Sequence, residues 1–311
     1  MIRPLAIVIA VALVVIVAGS CSSGTETPAG EDARVATETP PDPTVTPTET
    51  GSEVLRVLIA STDLAVGRNR LVFAILDEES SPLRIPEVRF TLTYLDASPP
   101  EVRSQGSALF RPWPANPGGV YAAAVSFDDP GRWGLEVRIP GDGGVLVGRA
   151  GVVVNRESSS PAIGRPVPAS RNKTLKDADI SELTTSAVPD LDLYRTTIAE
   201  AISGGLPTLV TFATPAFCTS ATCGPQVEVV STIKERYKGR ANFIHIEVYD
   251  NPHEMEGDLS KGRLSPLLDE WGLRSEPFTF VIDADGLVAA KFEGFATEDE
   301  LESALREVIT S

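Results

Sequence analysis

The spacing of apolar residues changes near residue 180 of this 311-residue chain, and the two patterns predict two different folds. Between residues 53 and 155, apolar residues alternate with polar ones at a period of two, as in the segment from Tyr121 to Ile139. Turn-forming residues such as Asp129-Pro130-Gly131 separate the alternating runs. Predicted strands cover residues 55–59, 69–76, 88–94, 120–127, 134–139 and 146–154. This pattern predicts an all-β domain built as a small antiparallel sandwich.

From residue 182 to residue 311, segments of helical periodicity alternate with short apolar runs, which predicts an α/β domain with a parallel or mixed sheet. Predicted strands cover residues 208–212, 242–249, 278–282 and 288–292. Predicted helices cover residues 192–203, 225–238 and 265–271, and a last helix begins at residue 297. Residues 283–286 are typical of a hairpin turn, and residues 250–263 form a polar insert.

Two segments have a composition that predicts connecting chain rather than a core. Residues 22–52 are rich in Thr, Pro, Glu and Gly and contain almost no large apolar residue, so we predict a disordered tether. Residues 156–181 begin with a Ser/Pro-rich run, which predicts an interdomain linker. The predicted domains therefore span residues 53–155 and 182–311.

The N-terminal segment indicates where the protein resides. Arg3 precedes an uninterrupted apolar run over residues 5–18, which is too short for a comfortable transmembrane helix, and small residues follow up to Cys21. Residues 1–21 resemble a bacterial lipoprotein signal peptide, and this resemblance implies a lipid on Cys21. It also implies a membrane anchor and a location on the extracytoplasmic face of the cell membrane. An ordinary signal peptide and a retained anchor are the alternatives.

Charge narrows the choice of partners. The formal net charge is −16 at pH 7, which argues against nucleic acid and anionic lipid surfaces as partners. Residues 181–311 carry 22 acidic and 10 basic side chains. A partner of this second domain is therefore expected to be basic or neutral, because like charges repel.

The chain contains three cysteines, Cys21, Cys218 and Cys223. If Cys21 carries lipid, one pair remains, and outside the cytosol that pair can be oxidised. Both cysteines of the pair lie between the predicted strand at residues 208–212 and the helix that begins near Pro225. The dipole and free N–H groups of a helix N-terminus favour a thiolate, so this position predicts a nucleophilic cysteine.

Several local motifs resemble the thioredoxin family over residues 190–309. The run PTLVTFAT at residues 207–214 leads into Cys218, and Leu268-x-x-Trp271-Gly272-Leu273 leads into Glu276-Pro277-Phe278. Asp250-Asn251-Pro252 and Asp285-Gly286 resemble the end of the family's next strand and its last hairpin. The resemblance implies a thioredoxin-like fold in which Pro277 is a cis-proline beside the cysteines. It also implies thiol–disulfide exchange with protein thiols or disulfides, without a cofactor, in which Cys218 attacks and Cys223 resolves the mixed disulfide.

Three features depart from that family. Four residues separate the cysteines instead of two, and on a regular helix such a pair lies about 140° apart. We therefore predict an irregular turn with the helix starting only near Pro225. Thr211 stands in the region where the family often has a buried acid, so a proton for the resolving cysteine must come from water or another group. Glu276 precedes the proline, and its charge is expected to raise the pKa of the thiols.

Two other functions are compatible with these residues. The pair can be a permanent structural disulfide in a non-catalytic binding protein. A copper chaperone of the Sco type also has this fold, two cysteines and a distal histidine, and its ligands here are Cys218, Cys223 and His253, with His245 and Met255 as further candidates. A peroxiredoxin is disfavoured, because Pro215 stands where that family often has a threonine.

The first domain resembles the immunoglobulin-like modules that accompany bacterial copper and redox proteins. Some of those modules bind copper through His and Met. Residues 53–155 contain no His, Cys or Met, so a site of that kind is excluded here. We expect this immunoglobulin-like sandwich to be a spacer or a protein-contact module.

Overall fold

The computed structural model describes residues 54–114, 118–141, 144–218 and 220–309, which form two sheets within a compact unit spanning residues 49–311. One sheet is a closed barrel of seven strands, and the other is a four-stranded sheet flanked by helices. The predicted signal peptide with Cys21 and the predicted tether lie outside the described residues.

The barrel strands follow the order β1-β2-β5-β4-β3-β6-β7. Their bounds are β1 Val54–Ile59, β2 Gly67–Leu76, β3 Glu87–Tyr94, β4 Glu101–Pro112, β5 Gly119–Phe127, β6 Gly131–Gly141 and β7 Gly144–Val154. Neighbouring strands are antiparallel except for β1 and β7, which pair in parallel. The predicted immunoglobulin-like sandwich is not confirmed, because hydrogen bonds between β3 and β4 and between β1 and β7 join what a sandwich keeps as two separate sheets.

Sequence analysis missed strand β4. Ala108 is the one residue of β4 that is buried, so the segment lacks the alternation that marks a half-buried strand. Its pairing with β3 and β5 supplies backbone hydrogen bonds that do not depend on side-chain pattern. The barrel interior is filled instead from the other strands, with Phe73, Tyr121 and Trp133 fully buried.

The second sheet is mixed, as predicted. Its strands are β8 Thr208–Ala213, β9 Asn242–Glu247, β10 Phe278–Ile282 and β11 Val288–Glu293, in the order β11-β10-β8-β9. Strands β8 and β9 are parallel, whereas β10 is antiparallel to both β8 and β11. Every residue of β8 is buried, because helices cover both faces of this central strand.

Six α-helices accompany this sheet within the described residues: α1 Ile180–Leu183, α2 Ile198–Ser203, α3 Cys223–Tyr237, α4 Pro252–Met255, α5 Pro266–Glu270 and α6 Glu298–Ile309. Apolar side chains of α3 and α6 pack on one face of the sheet, and those of α2 pack on the other face. None of the helices in the described ranges combines the length and apolarity needed to cross a bilayer.

The predicted helix at residues 192–203 is wrong, because the segment divides in two. A 3₁₀ turn covers Leu191–Tyr194, and α2 begins separately after Thr197. The Thr197 hydroxyl accepts a hydrogen bond from the Glu200 N–H, and the Glu200 carboxylate accepts one from the Thr197 N–H. This reciprocal capping box makes Thr197 the N-cap of a new helix, so the two segments do not form one continuous helix. The predicted polar insert likewise holds α4 and a 3₁₀ turn at Leu259–Lys261.

The segment predicted as a linker packs against the second sheet. Pro166 forms a β-bridge with Leu287, and Val167 joins the apolar core under β8 and β10. The Asn172 side chain accepts a hydrogen bond from the N–H of Ile198, the first residue of α2. These contacts fix the segment along the second sheet.

A buried ion pair joins the barrel to the second sheet. The Lys291 ammonium on β11 lies 2.9 Å from the Asp63 carboxylate, and both side chains are almost fully buried. Burial alone raises the pKa of Asp63, but hydrogen bonds from Ser158 and Ser160 and the charge of Lys291 hold it well below its usual range. A second pair, Arg70 with Glu300 at 3.0 Å, spans the same boundary.

Replacing Lys291 with Met is expected to lower the free energy of unfolding by about 3–5 kcal/mol, because the variant leaves the Asp63 carboxylate buried without its cation. Urea unfolding at pH 7 measures this loss. Lys261→Met removes an exposed pair with Glu256 and should change stability by less than about 1 kcal/mol. The double variant Asp63→Asn/Lys291→Met should recover part of the loss, and equal losses in the single and double variants would contradict this account.

Candidate functional site

Cys218 and Cys223 form a disulfide in the turn between β8 and α3. Their Cα atoms lie 5.8 Å apart. The turn is irregular, as predicted: the Ala221 N–H donates to the Cys218 carbonyl at 3.1 Å, and Ala221 has a φ of 56° in the left-handed region. The predicted helix start near Pro225 is two residues late, because α3 begins at Cys223 itself. Only Cys223 lies on the helix, so the helical angle that separates residues five apart does not apply.

The two sulfurs have different surroundings. Cys223 is fully buried, whereas Cys218 is half-buried, so Cys218 is the cysteine of the pair that another molecule can approach. The Cys223 N–H, at the start of α3, donates to the Cys218 sulfur at 3.3 Å, and the Ser220 hydroxyl lies 3.2 Å from the same atom. These donors and the positive end of the helix dipole stabilise a thiolate on Cys218.

Pro277 lies directly before β10, the strand that pairs with β8. The Glu276–Pro277 bond is cis, which confirms the prediction for this bond. Pro277 is buried, and its carbonyl accepts a hydrogen bond from the Gly294 N–H at 2.9 Å. The residue before it, Glu276, reaches the disulfide.

The Glu276 carboxyl lies against Cys223. Its Oε2 atom is 3.8 Å from the Cys223 sulfur and accepts a hydrogen bond from the Thr214 N–H at 3.1 Å. Burial raises the pKa of Glu276 to about 7, an effect that the Thr214 N–H opposes and the negative charge of Glu247 reinforces. The sequence identified Glu276 as a fixed charge opposing the thiolate, but a carboxyl with this pKa carries a proton for much of its time near neutral pH.

Glu247 is a second buried carboxyl, and sequence analysis did not identify it. It ends β9, and its Oε2 atom accepts hydrogen bonds from the Thr185 N–H and hydroxyl, each at 2.8 Å. The Thr185 hydroxyl lies 3.3 Å from the Thr214 hydroxyl. Burial raises the pKa of Glu247 despite these donors. The available signal was an acidic residue within the predicted strand at residues 242–249.

The histidines lie apart from the disulfide chemistry. His245 is buried, with Nδ1 2.7 Å from the Tyr194 hydroxyl and Nε2 3.0 Å from the Ala213 carbonyl. Burial lowers the pKa of His245 to about 4, although the carbonyl opposes this shift, so the ring is neutral at pH 7. His253 is partly exposed on α4, and Met255 is fully buried.

The residues considered for copper are not assembled into a site. Within the described ranges, no group of three or more His, Cys, Asp or Glu side chains is arranged to hold a metal ion, so Cys218, Cys223 and His253 do not form one.

Comparisons with known proteins give neighbours by structure alone. No family model and no curated protein matches the chain. A thiol:disulfide interchange protein of the thioredoxin family from Chlorobium tepidum is 17% identical, with 48% of this chain and 99% of that chain covered and a TM-score of 0.32. The exposed lipoprotein thioredoxin of Streptococcus pneumoniae is 19% identical, with 34% and 89% covered and a TM-score of 0.26. Chloroplastic thioredoxin z is 18% identical, with 36% and 85% covered and a TM-score of 0.27.

Glu276→Gln is expected to change stability in a pH-dependent way. Because the pKa of Glu276 is higher in the folded chain than the ordinary value of 4.5, its contribution to stability is full below pH 4.5 and is lost as the pH rises through about 7. The glutamine variant should therefore match the wild type at pH 4.5 and exceed it by about 1–2 kcal/mol at pH 8, less than full burial gives, since the carboxyl is partly solvated.

Urea unfolding of the disulfide-bonded protein at the two pH values measures this difference. Glu254→Gln is the matched control, because hydrogen bonds from Asn251 and Arg263 lower the pKa of Glu254 and reverse the sign. If the free energy of unfolding of Glu276→Gln differs from that of the wild type by the same amount at pH 4.5 and pH 8, this expectation is contradicted.

Proposed function

We propose that this chain exchanges disulfides with thiols through a redox-active pair, Cys218 and Cys223. The observation that carries the proposal is the asymmetry of the pair at the start of α3. The accessible sulfur receives the first N–H of the helix, and the buried sulfur lies behind it. An accessible thiolate stabilised in this way is the nucleophile that disulfide exchange requires.

The reaction proceeds through Cys218 in either direction. When a partner reduces the disulfide-bonded chain, a partner thiolate attacks the Cys218 sulfur and forms a mixed disulfide with it. The bond to Cys223 breaks, and Cys223 leaves with the bonding electron pair. When the chain reduces a partner, the Cys218 thiolate attacks the partner disulfide, the partner S–S bond breaks, and the first partner sulfur leaves as a thiolate. Cys223 then attacks the Cys218 sulfur, and the second partner sulfur leaves as a thiolate. The relative reduction potentials of the chain and its partner decide the direction.

Protein thiols and disulfides are the proposed substrates. The ring of Phe217, next to Cys218, meets the ring of Tyr249 edge to face, with centroids 6.1 Å apart. Leu264 forms a β-bridge with Tyr249 and is largely exposed. The aromatic ring next to Cys218 and the exposed Leu264 suit an unfolded or extended polypeptide, and the acidic second domain favours a basic or neutral one.

The proposal includes a thioredoxin-like fold for residues 182–311 and an extracytoplasmic location with a lipid anchor on Cys21. The fold is supported by a parallel β8–α3–β9 unit followed by the β10–β11 hairpin, with the disulfide at the β8–α3 turn. The location is supported by the sequence of residues 1–21 and by the disulfide, which persists in oxidising compartments. The barrel then serves as a spacer or contact module.

A permanent structural disulfide is the second candidate, and the full burial of Cys223 favours it. The two candidates differ in reduction potential. A structural disulfide has a potential below about −300 mV, whereas catalytic pairs lie higher, at about −120 to −270 mV.

The Cys223→Ser variant is expected to accumulate mixed disulfides at Cys218 with oxidised model proteins, because the resolving sulfur is absent. Non-reducing electrophoresis and peptide mass spectrometry measure the adduct and its position. Cys218→Ser is the matched control, and it should form at least about tenfold less adduct, since its remaining sulfur is buried.

The proposal is overturned if both single variants form equal adduct, or if equilibration of the wild type with glutathione and dithiothreitol buffers gives a potential below about −300 mV.

A further inference from the structure

We propose that Glu276 is a catalytic acid–base group that passes a proton to and from the Cys223 sulfur during exchange, and that Glu247 is the second carboxyl of this site. The inference rests on the proposed function of the Cys218–Cys223 pair and adds a residue to that site.

Contact geometry supports the assignment. The Oε2 atom of Glu276 lies 3.8 Å from the Cys223 sulfur, which is within hydrogen-bonding reach of a thiol. The Thr214 N–H binds the same oxygen and holds the carboxyl in that place. Glu276 is partly exposed, so the carboxyl can also exchange its proton with solvent.

The surroundings of Cys223 make a proton partner necessary. Cys223 is fully buried and belongs to the apolar cluster that also contains Val227 and Val230 of α3. When the disulfide is opened at Cys218, the Cys223 sulfur leaves as a thiolate. An unpaired thiolate in apolar surroundings is strongly disfavoured, so a proton delivered as the bond breaks lowers the barrier.

A second carboxyl keeps that proton available. Glu247 and Glu276 lie on either side of Thr214: its backbone N–H binds Glu276, and its hydroxyl lies near the Thr185 hydroxyl that donates to Glu247. A negative charge on Glu247 disfavours ionisation of Glu276, in addition to the larger effect of burial. Glu247 also lines a surface cavity of about 170 Å³, which gives the Glu247 side of the two carboxyls access to water.

The other titratable or charged groups around Glu276 are few among the described residues. Tyr249, beyond β9, feels its charge, and burial together with Glu276 and Glu247 raises the pKa of the phenol. His245 contacts the Ala213 carbonyl and is neutral at pH 7, and Glu293 on β11 accepts a hydrogen bond from the Ser275 hydroxyl. Of these groups, Glu247 is the one whose negative charge adds to the effect of burial in raising the pKa of Glu276.

The proton and electron changes balance as follows. A partner thiolate forms a bond to Cys218, the Cys218–Cys223 bond breaks, and the Cys223 sulfur takes the electron pair together with the proton of Glu276. Glu276 is left as a carboxylate. In the reverse step this carboxylate takes the Cys223 thiol proton while Cys223 attacks Cys218, and the partner leaves as a thiolate.

The test is the rate at which excess dithiothreitol reduces the folded, disulfide-bonded chain between pH 5.5 and pH 9, followed by acid quench, alkylation and mass spectrometry. Each rate is divided by the concentration of dithiothreitol thiolate at that pH. The pH dependence that is left then comes from ionisable groups of the protein. The wild-type rate is expected to fall as the pH rises through about 7, because Glu276 loses the proton it donates. Glu276→Gln should lose this pH dependence and react about 100-fold more slowly at pH 6.

Glu247→Gln should keep the fall in rate but move it to lower pH, because Glu276 then lacks its negative neighbour while its burial is unchanged. Glu256→Gln, at an exposed carboxyl paired with Lys261, should reproduce the wild-type profile. If Glu276→Gln is unfolded by circular dichroism, Glu276→Asp replaces it, since the shorter side chain keeps the charge but withdraws the carboxyl from Cys223.

The outcomes separate the two levels of the proposal. A wild type that is reduced readily while Glu276→Gln shows the same rates and the same pH profile overturns the role of Glu276 and leaves the exchange function standing. A folded wild type that dithiothreitol does not reduce overturns the exchange function and, with it, the role of Glu276. A profile that Glu247→Gln leaves unmoved removes Glu247 from the assignment.

Discussion

One backbone N–H, that of Cys223, is the contact on which the proposed chemistry of this molecule depends. It points at the Cys218 sulfur because α3 begins at Cys223 and the preceding turn folds back through Ala221. The same geometry exposes one sulfur and buries the other, so two cysteines that look alike in the sequence become chemically different. Strand β8, buried along its whole length, fixes where the turn begins, and the β8–β10 pairing brings Glu276 to the buried sulfur.

Much of this arrangement follows from local sequence. The apolar run of β8, the proline after the cysteines and the Glu-Pro pair before β10 mark the strand ends that carry the disulfide and Glu276, and the resemblance to the thioredoxin family implies that these ends are neighbours. The ionisation of Glu276 does not follow from those residues. It depends first on burial of the carboxyl and then on Glu247, which is 29 positions away along the chain and lies on β9, the parallel partner of β8. Proton affinity is a property of that three-dimensional environment, and a pattern of apolar positions does not contain it.

The errors of sequence analysis have physical causes of the same kind. β4 is held by backbone hydrogen bonds and shows an exposed face, so its side chains carry no alternating signal. The barrel differs from a sandwich through the β3–β4 and β1–β7 pairings, and the second of these joins strands that are distant in sequence. By contrast, the helix at residues 192–203 was mispredicted although Thr197 and Glu200 form a recognisable capping box, so there the sequence held the answer.

The contacts of Glu293 show how the two sheets depend on each other. Its carboxylate accepts hydrogen bonds from the Thr62 N–H and hydroxyl in the barrel and from Ser275, the residue before Glu276. Lys291, two positions earlier, takes its counter-ion from the barrel as well. Truncation to residues 182–311 would uncover both charges and release the segment that carries Glu276 from one of its supports. The smallest fragment that preserves the disulfide's surroundings therefore includes Thr62 and Asp63.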